Sequence, residues 1–182
     1  AGVSVVTLNQ LALQSFEWAG QFPPAVTEDK RYVALLWDIL QKTGTFSYPK
    51  NDPYPTVRAL YSTIRELRDA GISQDEACWL GHAEAYENLN PRQSNRAQQI
   101  FALYADYIRT LAEKKWVDGP QMMIEAAVCL EKKLRAPCGP IFVWGFYDFV
   151  GVQKIFLKAL SSCGARMTIF LPDDEFTRPL VE

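Results

Sequence analysis

The stretch from Ile141 to Gln153 constrains the fold of this chain more than any other. It opens as a short apolar run rich in β-formers and reaches Gly145, where a turn is expected. A helical pattern of apolar residues follows as far as Leu160, and a second apolar run covers 167–171. Strand, turn, helix and strand in this order predict a βαβ unit, and continuous apolar strands are typical of a parallel sheet covered on both faces.

The carboxyl ends of the strands are where such a unit usually carries its ligand-binding groups. We therefore expect any chemistry of this region to involve the residues from Trp144 to Asp148. The alternative is a buried strand with its covering helix and no chemistry.

The rest of the sequence predicts a long helical insertion between strands. Val3–Thr7 is a short β-prone run, and helix signals follow it as far as Gly20. From residue 21 to 136 the pattern is almost entirely helical, which is too long for an ordinary crossover between parallel strands. We expect an α/β fold that is predominantly helical, with a small parallel sheet of order βα…βαβ. The predicted domains are 1–20 with 137–182, and an all-α insertion at 21–136.

Two short motifs inside the helical insertion predict where helices begin. Ser73 and Glu76 have the spacing of a capping box, and they begin a helix predicted to reach about Leu89. Asp118-Gly-Pro120 reads as a helix cap followed by a proline in the first turn.

Composition excludes several classes of protein. The chain has 182 residues, 48% of them hydrophobic, which indicates a globular fold with a substantial core. No apolar run approaches the roughly 20 residues that span a bilayer, so we expect no membrane association. The net charge of -2 argues against strong, non-specific nucleic-acid binding by this chain alone, because that affinity depends on clustered cations.

The cysteines and the single histidine do not form a metal-binding pattern. Cys78, Cys129, Cys138 and Cys163 are scattered without a Cys-x-x-Cys pair, and His82 falls within a predicted helix. We interpret the cysteines as reduced thiols of a cytoplasmic protein. The amino terminus lacks the basic region of a signal peptide.

The first residues suggest that the chain is part of a longer polypeptide. It begins at Ala1 and opens as strand then helix, with no strand before it, which is unusual for a complete α/β domain. Removal of an initiator methionine would give the same terminus.

Two motifs resemble superfamily I helicases of the UvrD/RecB type. The magnesium-binding strand of those motors reads hydrophobic-Asp-Glu-Phe-Gln-Asp, with a Gln five residues later; this chain has Val143-Trp-Gly-Phe-Tyr-Asp148 and then Gln153. With its Asp-Glu pair replaced, the segment looks like the helicase-like half of AddB-type subunits, which belong to bacterial ATP-dependent helicase-nucleases. The segment from Val5 to Ala12 similarly resembles the Thr-containing motif that touches single-stranded DNA in active relatives.

The resemblance implies a P-loop-motor-like domain whose nucleotide site has degenerated. Trp144 and Gly145 can neither hold magnesium nor polarise water, so Trp144, Gly145, Asp148 and Gln153 are remnants of that site. We expect Asp148 to cap the following helix and Gln153 to make a structural hydrogen bond. No Gly-x-x-x-x-Gly-Lys-Ser/Thr loop occurs in the chain, and in the family it would precede Val3. We expect no catalytic residue, metal site or cofactor for this chain, whereas the parent family uses ATP and Mg²⁺.

Candidate DNA contacts are Thr7, Asn9 and Gln10, whose hydroxyl and amide groups can bond phosphates or sugars. The alternative for Thr7 or Asn9 is a helix N-cap. Weaker candidates for DNA contact are four basic residues of the helical insertion: Arg65, Arg68, Arg92 and Arg96.

The acidic cluster Asp173–Glu175 lacks the spaced partners of a metal site, so we interpret it as a solvated tail.

The leading hypothesis is a fragment of a helicase-like subunit of a bacterial, cytoplasmic DNA-repair helicase-nuclease. Its role would be scaffolding or tracking single-stranded DNA, and its partners would be the rest of the polypeptide and a helicase-nuclease partner subunit. One alternative is a piece of an active superfamily I ATPase. Another is an unrelated α/β protein-interaction module with a helical lid.

Overall fold

The structure is a computed structural model, and it describes residues 3–44, 46, 51–82, 86, 90–132 and 139–171. The predicted acidic cluster at 173–175 and the thiol at position 138 lie outside these residues. In chain order the described helices and strands are α1 (Leu8–Ala19), α2 (Asp29–Thr43), α3 (Tyr54–Asp69), α4 (Gln74–Leu80), α5 (Pro91–Lys114), α6 (Gly119–Glu131), β1 (Ile141–Val143), α7 (Gly151–Ser162) and β2 (Met167–Ile169).

This architecture confirms the predicted class, a predominantly helical α/β fold with a small parallel sheet. The chain divides into two compact units, one formed by 1–24 with 119–182 and the other by 25–118. The assignment of 1–20 with 137–182 to a motor-like domain, and of 21–136 to an insertion, stays a prediction.

The unit at 25–118 is a helical bundle with one apolar core. Helices α2, α3 and α5 pack against one another, and α4 packs on α5. Their apolar stripes recur at helical spacing and bury side chains completely, which stabilises the bundle through the hydrophobic effect. Its largest fully buried side chains are those of Tyr32, Leu36, Leu40, Ile64, Leu103, Tyr104 and Tyr107.

The other unit contains three packed helices and the sheet. Helix α6 packs against both α1 and α7. Ala12 of α1 and Ala126 of α6 are fully buried, and such small residues allow helices to approach closely. Phe156 of α7 is fully buried as well and supplies the bulk of a large ring to the core of this unit.

The sheet contains β1 and β2 paired in parallel, with Ile141 opposite Met167 and Val143 opposite Ile169. The connection between them is α7, so the predicted βαβ unit is confirmed. Successive side chains point to opposite faces of a strand. Val143 is 5% exposed and Phe142 is 68% exposed, so the expectation that both faces are covered is wrong for the described chain.

The predicted strand at Val3–Thr7 is also wrong. These residues form no ladder in the described part of the chain, and Val3 and Val5 are 96% and 94% exposed. β-propensity describes how well a side chain suits a half-buried pleated surface, and this segment has no such surface beside it.

Helix α4 is shorter than predicted. It ends at Leu80 rather than near Leu89, because the chain turns at Gly81 and bends at His82. His82 is therefore an exposed residue after a helix and not a mid-helix residue. No helix among the described residues is both long and apolar enough to cross a membrane.

Candidate functional site

The turn that follows β1 carries the residues that the sequence singled out. Trp144 is 82% exposed, and Gly145 has a φ of 85°, in the left-handed region that favours glycine. A β-carbon at Gly145 would meet nothing within 4 Å, so the backbone angle alone selects glycine there. Phe146 and Phe149 stack across the turn with ring centroids 4.9 Å apart. The predicted turn at Gly145 is confirmed.

Asp148 does not cap α7 as expected. Its carboxylate accepts a hydrogen bond of 2.7 Å from the backbone N–H of Phe149, and Lys154 Nζ lies 3.5 Å from the same oxygen. The residue in the N-cap position is Val150, which is extended, because α7 begins only at Gly151. Asp148 is exposed and ion-paired at the surface, where such a pair contributes little to stability.

Gln153 makes a structural hydrogen bond. Its Oε1 accepts from the backbone N–H of Val150 at 3.1 Å, which satisfies one of the donors left free at the start of α7. Its role as a remnant of a nucleotide site stays a prediction.

This arrangement offers little to a magnesium ion. Asp148 supplies a single carboxylate, and positions 144 and 145 carry an indole and a glycine. Magnesium in phosphoryl-transfer sites is usually held by one or two carboxylates together with the phosphates of the substrate. No group of three or more His, Cys, Asp or Glu side chains among the described residues could hold a metal ion.

The first helix begins with a capping box. Thr7 Oγ1 accepts from the backbone N–H of Gln10 at 3.2 Å, and Gln10 Oε1 accepts from the backbone N–H of Thr7 at 2.8 Å. Thr7 and Gln10 are thus engaged in stabilising α1. Asn9 is exposed on the first turn of that helix. Contact between these residues and DNA stays a prediction.

The predicted basic set separates into buried and exposed members. Arg68 is 5% exposed and makes two hydrogen bonds to the Asp118 carboxylate, at 2.9 and 2.7 Å. Burial opposes its charge, but the hydrogen bonds and attraction from Asp118 outweigh burial and raise the pKa of Arg68. The inclusion of Arg68 among surface contacts is wrong, because a helical pattern alone does not reveal which charges are paired inside the protein.

The other arginines of the set are exposed. Arg65 pairs with Asp29 at 3.0 Å. Both Arg92 and Arg96 are exposed on α5.

A groove of about 420 Å³ lies between α2 and α5. Its charged lining residues are Asp38 and Lys42 of α2 with Asp106, Arg109, Glu113 and Lys114 of α5. The Arg109 guanidinium lies 2.6 Å from the Asp106 carboxylate and 3.9 Å from that of Glu113. Because these opposite charges compensate one another, the groove favours neither an anionic nor a cationic ligand.

The sheet has an open face, which the sequence reasoning missed. Phe142 lies beside Thr168 in the register, and the ring centroids of Phe142 and Phe170 are 6.3 Å apart. Strand alternation continues this face to Trp144 after β1 and to Arg166 before β2. We call these five residues the aromatic face. All five are exposed.

The signal for this face is present in the sequence. In β1 and β2 apolar residues without rings alternate with an aromatic or a hydroxyl residue, which is the period of a sheet with one covered face. Because phenylalanine is itself apolar, the same residues also fit a continuous apolar run, and periodicity alone does not separate the two.

Comparison with known proteins gives one consistent but distant similarity. No family model matches the chain. Over 172 residues it is 20% identical to a subunit of the ATP-dependent helicase/deoxyribonuclease of Staphylococcus aureus, in strains JH9, N315 and USA300. The alignment covers 81% of this chain and 15% of the relative, so the chain spans about 15% of the length of these curated relatives. The similarity supports a distant relationship to a helicase-nuclease subunit.

Proposed function

We propose that this chain is part of a helicase-like subunit of a bacterial, cytoplasmic DNA-repair helicase-nuclease. Its role there is to scaffold the complex or to track single-stranded DNA, and it acts with the rest of its polypeptide and a partner subunit. The observation that carries the proposal is the alignment of 172 residues with a helicase/deoxyribonuclease subunit. The residues of the β1 turn support a non-catalytic role.

The turn after β1 is poorly suited to ATP hydrolysis for two reasons. Its only carboxylate within 144–148 is Asp148, which lies beside Lys154. A glutamate at position 145 would have to adopt a φ of 85°, which L-residues with a β-carbon disfavour. This backbone angle is unfavourable for an Asp-Glu pair at positions 144 and 145, which supports a degenerate nucleotide site over an active one.

A DNA-binding measurement tests the proposed role against an unrelated protein-interaction module. Asn9→Ala removes a candidate contact without touching the capping box of Thr7 and Gln10. We expect fluorescence anisotropy to show that the chain binds a single-stranded oligonucleotide, and that Asn9→Ala weakens binding severalfold. Asn95→Ala, which changes another exposed helical asparagine, serves as the control and should bind like the parent chain. Failure of the chain to bind single-stranded DNA would exclude the tracking role and leave scaffolding, which an unrelated interaction module would also explain.

A further inference from the structure

The two ends of the helical bundle at 25–118 contact each other. Val26, near the first residue of the bundle, forms a parallel β-bridge with Val117, near the last. The Tyr32 hydroxyl donates to the backbone carbonyl of Val117 at 2.7 Å and accepts from the backbone N–H of Thr27 at 3.2 Å. Tyr32 and Val117 are 85 residues apart in sequence. A single buried side chain therefore joins the first segment of the bundle to the last.

Further contacts hold the residues on either side of Val117. Asp118 accepts the two hydrogen bonds of Arg68 described above, and both of these residues are 5% exposed. The ring of Trp116 meets that of Tyr32 edge-on, with centroids 6.5 Å apart. The guanidinium carbon of Arg31 lies 4.7 Å from the centroid of the Trp116 ring. Each of the last three residues of the bundle is thus held by α2 or α3.

We propose that these contacts form a clasp that closes the bundle on itself, so that the bundle keeps its fold independently of the rest of the chain. The clasp consists of Val26, Tyr32, Arg68 and 116–118. The first and last residues of a folded unit usually fray unless they are tied down, and here the ties come from the interior of the same unit. Adjacent ends are also what allows one folded unit to be inserted into another.

The energetics of the clasp favour cooperative opening. The entropic cost of closing a loop rises only with the logarithm of its length, so joining residues 85 positions apart is only slightly less favourable than joining residues half as far apart. Opening the clasp leaves buried polar groups and a buried ion pair without their partners, which is strongly unfavourable. We therefore expect the clasp and the core of the bundle to open together as one unit.

Hydrogen exchange in increasing urea, followed by mass spectrometry, tests the independence of the bundle in the whole 182-residue chain. Peptides from 25–118 should lose protection together. Phe156→Leu alters a fully buried ring of α7, outside the bundle. We expect this variant to lower the urea concentration at which peptides from α1, α6 and α7 lose protection, and to leave the bundle peptides unchanged. A similar shift in the bundle peptides would overturn the proposal.

Tyr32→Phe tests the clasp itself, because it removes the hydroxyl group and leaves the ring in the core. We expect exchange at 25–28 and 115–118 to become at least about fivefold faster, since a hydrogen bond to a buried backbone group contributes roughly that factor. The other bundle peptides should lose protection at a lower urea concentration than in the parent chain. Peptides from α1, α6 and α7 should behave as they do in the parent chain.

Tyr61→Phe is the matched control. It also removes a phenolic hydroxyl from the bundle, one that donates to the Asp29 carboxylate at 3.2 Å and does not join the two ends. Exchange at 25–28 and 115–118 should stay as in the parent chain. Equal exchange at these segments in Tyr32→Phe and Tyr61→Phe would overturn the clasp. An effect of Tyr32→Phe that is as large in α7 as in the bundle would overturn the independence of the two units.

Discussion

At the scale of single residues, Gly145 determines the backbone of the turn after β1. Its φ of 85° turns the chain immediately after Trp144, so the indole is left in solvent at the edge of the sheet. Substitution back to the acidic pair would change the side chains but not this backbone. We therefore propose that the nucleotide site has degenerated in this backbone as well as in its two side chains.

Gly145→Ala should lower the free energy of unfolding by about 1 to 2 kcal/mol, because an L-residue is strained at this φ although its β-carbon has room. Urea denaturation of the two proteins measures the difference. Gly119→Ala is the matched control, since Gly119 lies at the start of α6, where alanine is a better helix former and its β-carbon also has room. Equal loss in both variants would refute the backbone explanation.

Asp69, the last residue of α3, gives a prediction about pH. Burial raises the pKa of its carboxyl group, although attraction from Arg65 and Arg68 opposes the shift. Because the pKa is higher in the folded state than in the unfolded state, ionisation of this carboxyl group destabilises the fold. The destabilisation is complete above the folded-state pKa and is absent below the unfolded-state pKa. Asp69→Asn should thus stabilise the fold at pH 7, by less than about 1 kcal/mol because water screens the group.

Urea denaturation at several pH values measures this effect. The stability difference between Asp69→Asn and the parent chain should shrink as the pH falls from the folded-state pKa of the carboxyl group to its unfolded-state pKa. A difference that grows in acid would contradict the sign of the shift.

At the scale of secondary-structure elements, the predictions from sequence were correct where residues close together in the chain determine the structure. The capping box of Ser73 and Glu76 forms as expected, with Glu76 Oε2 accepting from the Ser73 backbone N–H at 2.7 Å. The first residues of α1, Leu8, and of α5, Pro91, also follow from local patterns. The same is true of the βαβ unit. These signals depend on residues only a few positions apart, so they can be read without knowledge of the fold.

Prediction failed where an element depends on distant partners. A strand needs a neighbour, and Val3–Thr7 has none among the described residues. Arg68 and Asp118 are 50 residues apart in sequence, so nothing local shows that they meet in the core of the bundle. For the same reason the sequence predicted the turn after β1 but did not show that one face of the sheet is open.

The Arg68–Asp118 ion pair connects the end of α3 to the residue before α6. We expect it to be essential for the stability of the helical bundle. Arg68→Ala leaves the Asp118 carboxylate buried without its main partner, and we expect a loss of about 3 to 5 kcal/mol in the free energy of unfolding. Arg65→Ala removes the exposed pair with Asp29 and should cost less than about 1 kcal/mol. Similar losses in the two variants, measured by denaturation, would show that burial does not distinguish the pairs.

At the scale of the whole molecule, the chain combines a helical bundle with a small α/β unit that has an open sheet face. The similarity to a helicase/deoxyribonuclease subunit extends over 81% of the chain, so it involves both units. The turn after β1, which lacks the carboxylate pair of a motor, supports the proposed non-catalytic role. In our account the chain holds DNA or partner proteins while ATP hydrolysis takes place elsewhere in the complex.

DNA-stimulated ATP turnover by this chain, extended by the polypeptide that precedes it in the parent protein, tests that account most directly. We expect no turnover above that of a control in which Asp148→Asn replaces the remaining carboxylate of the β1 turn, because Trp144 and Gly145 cannot hold magnesium. Robust DNA-stimulated turnover in the parent sequence, abolished by Asp148→Asn, would show an active superfamily I motor and contradict the account.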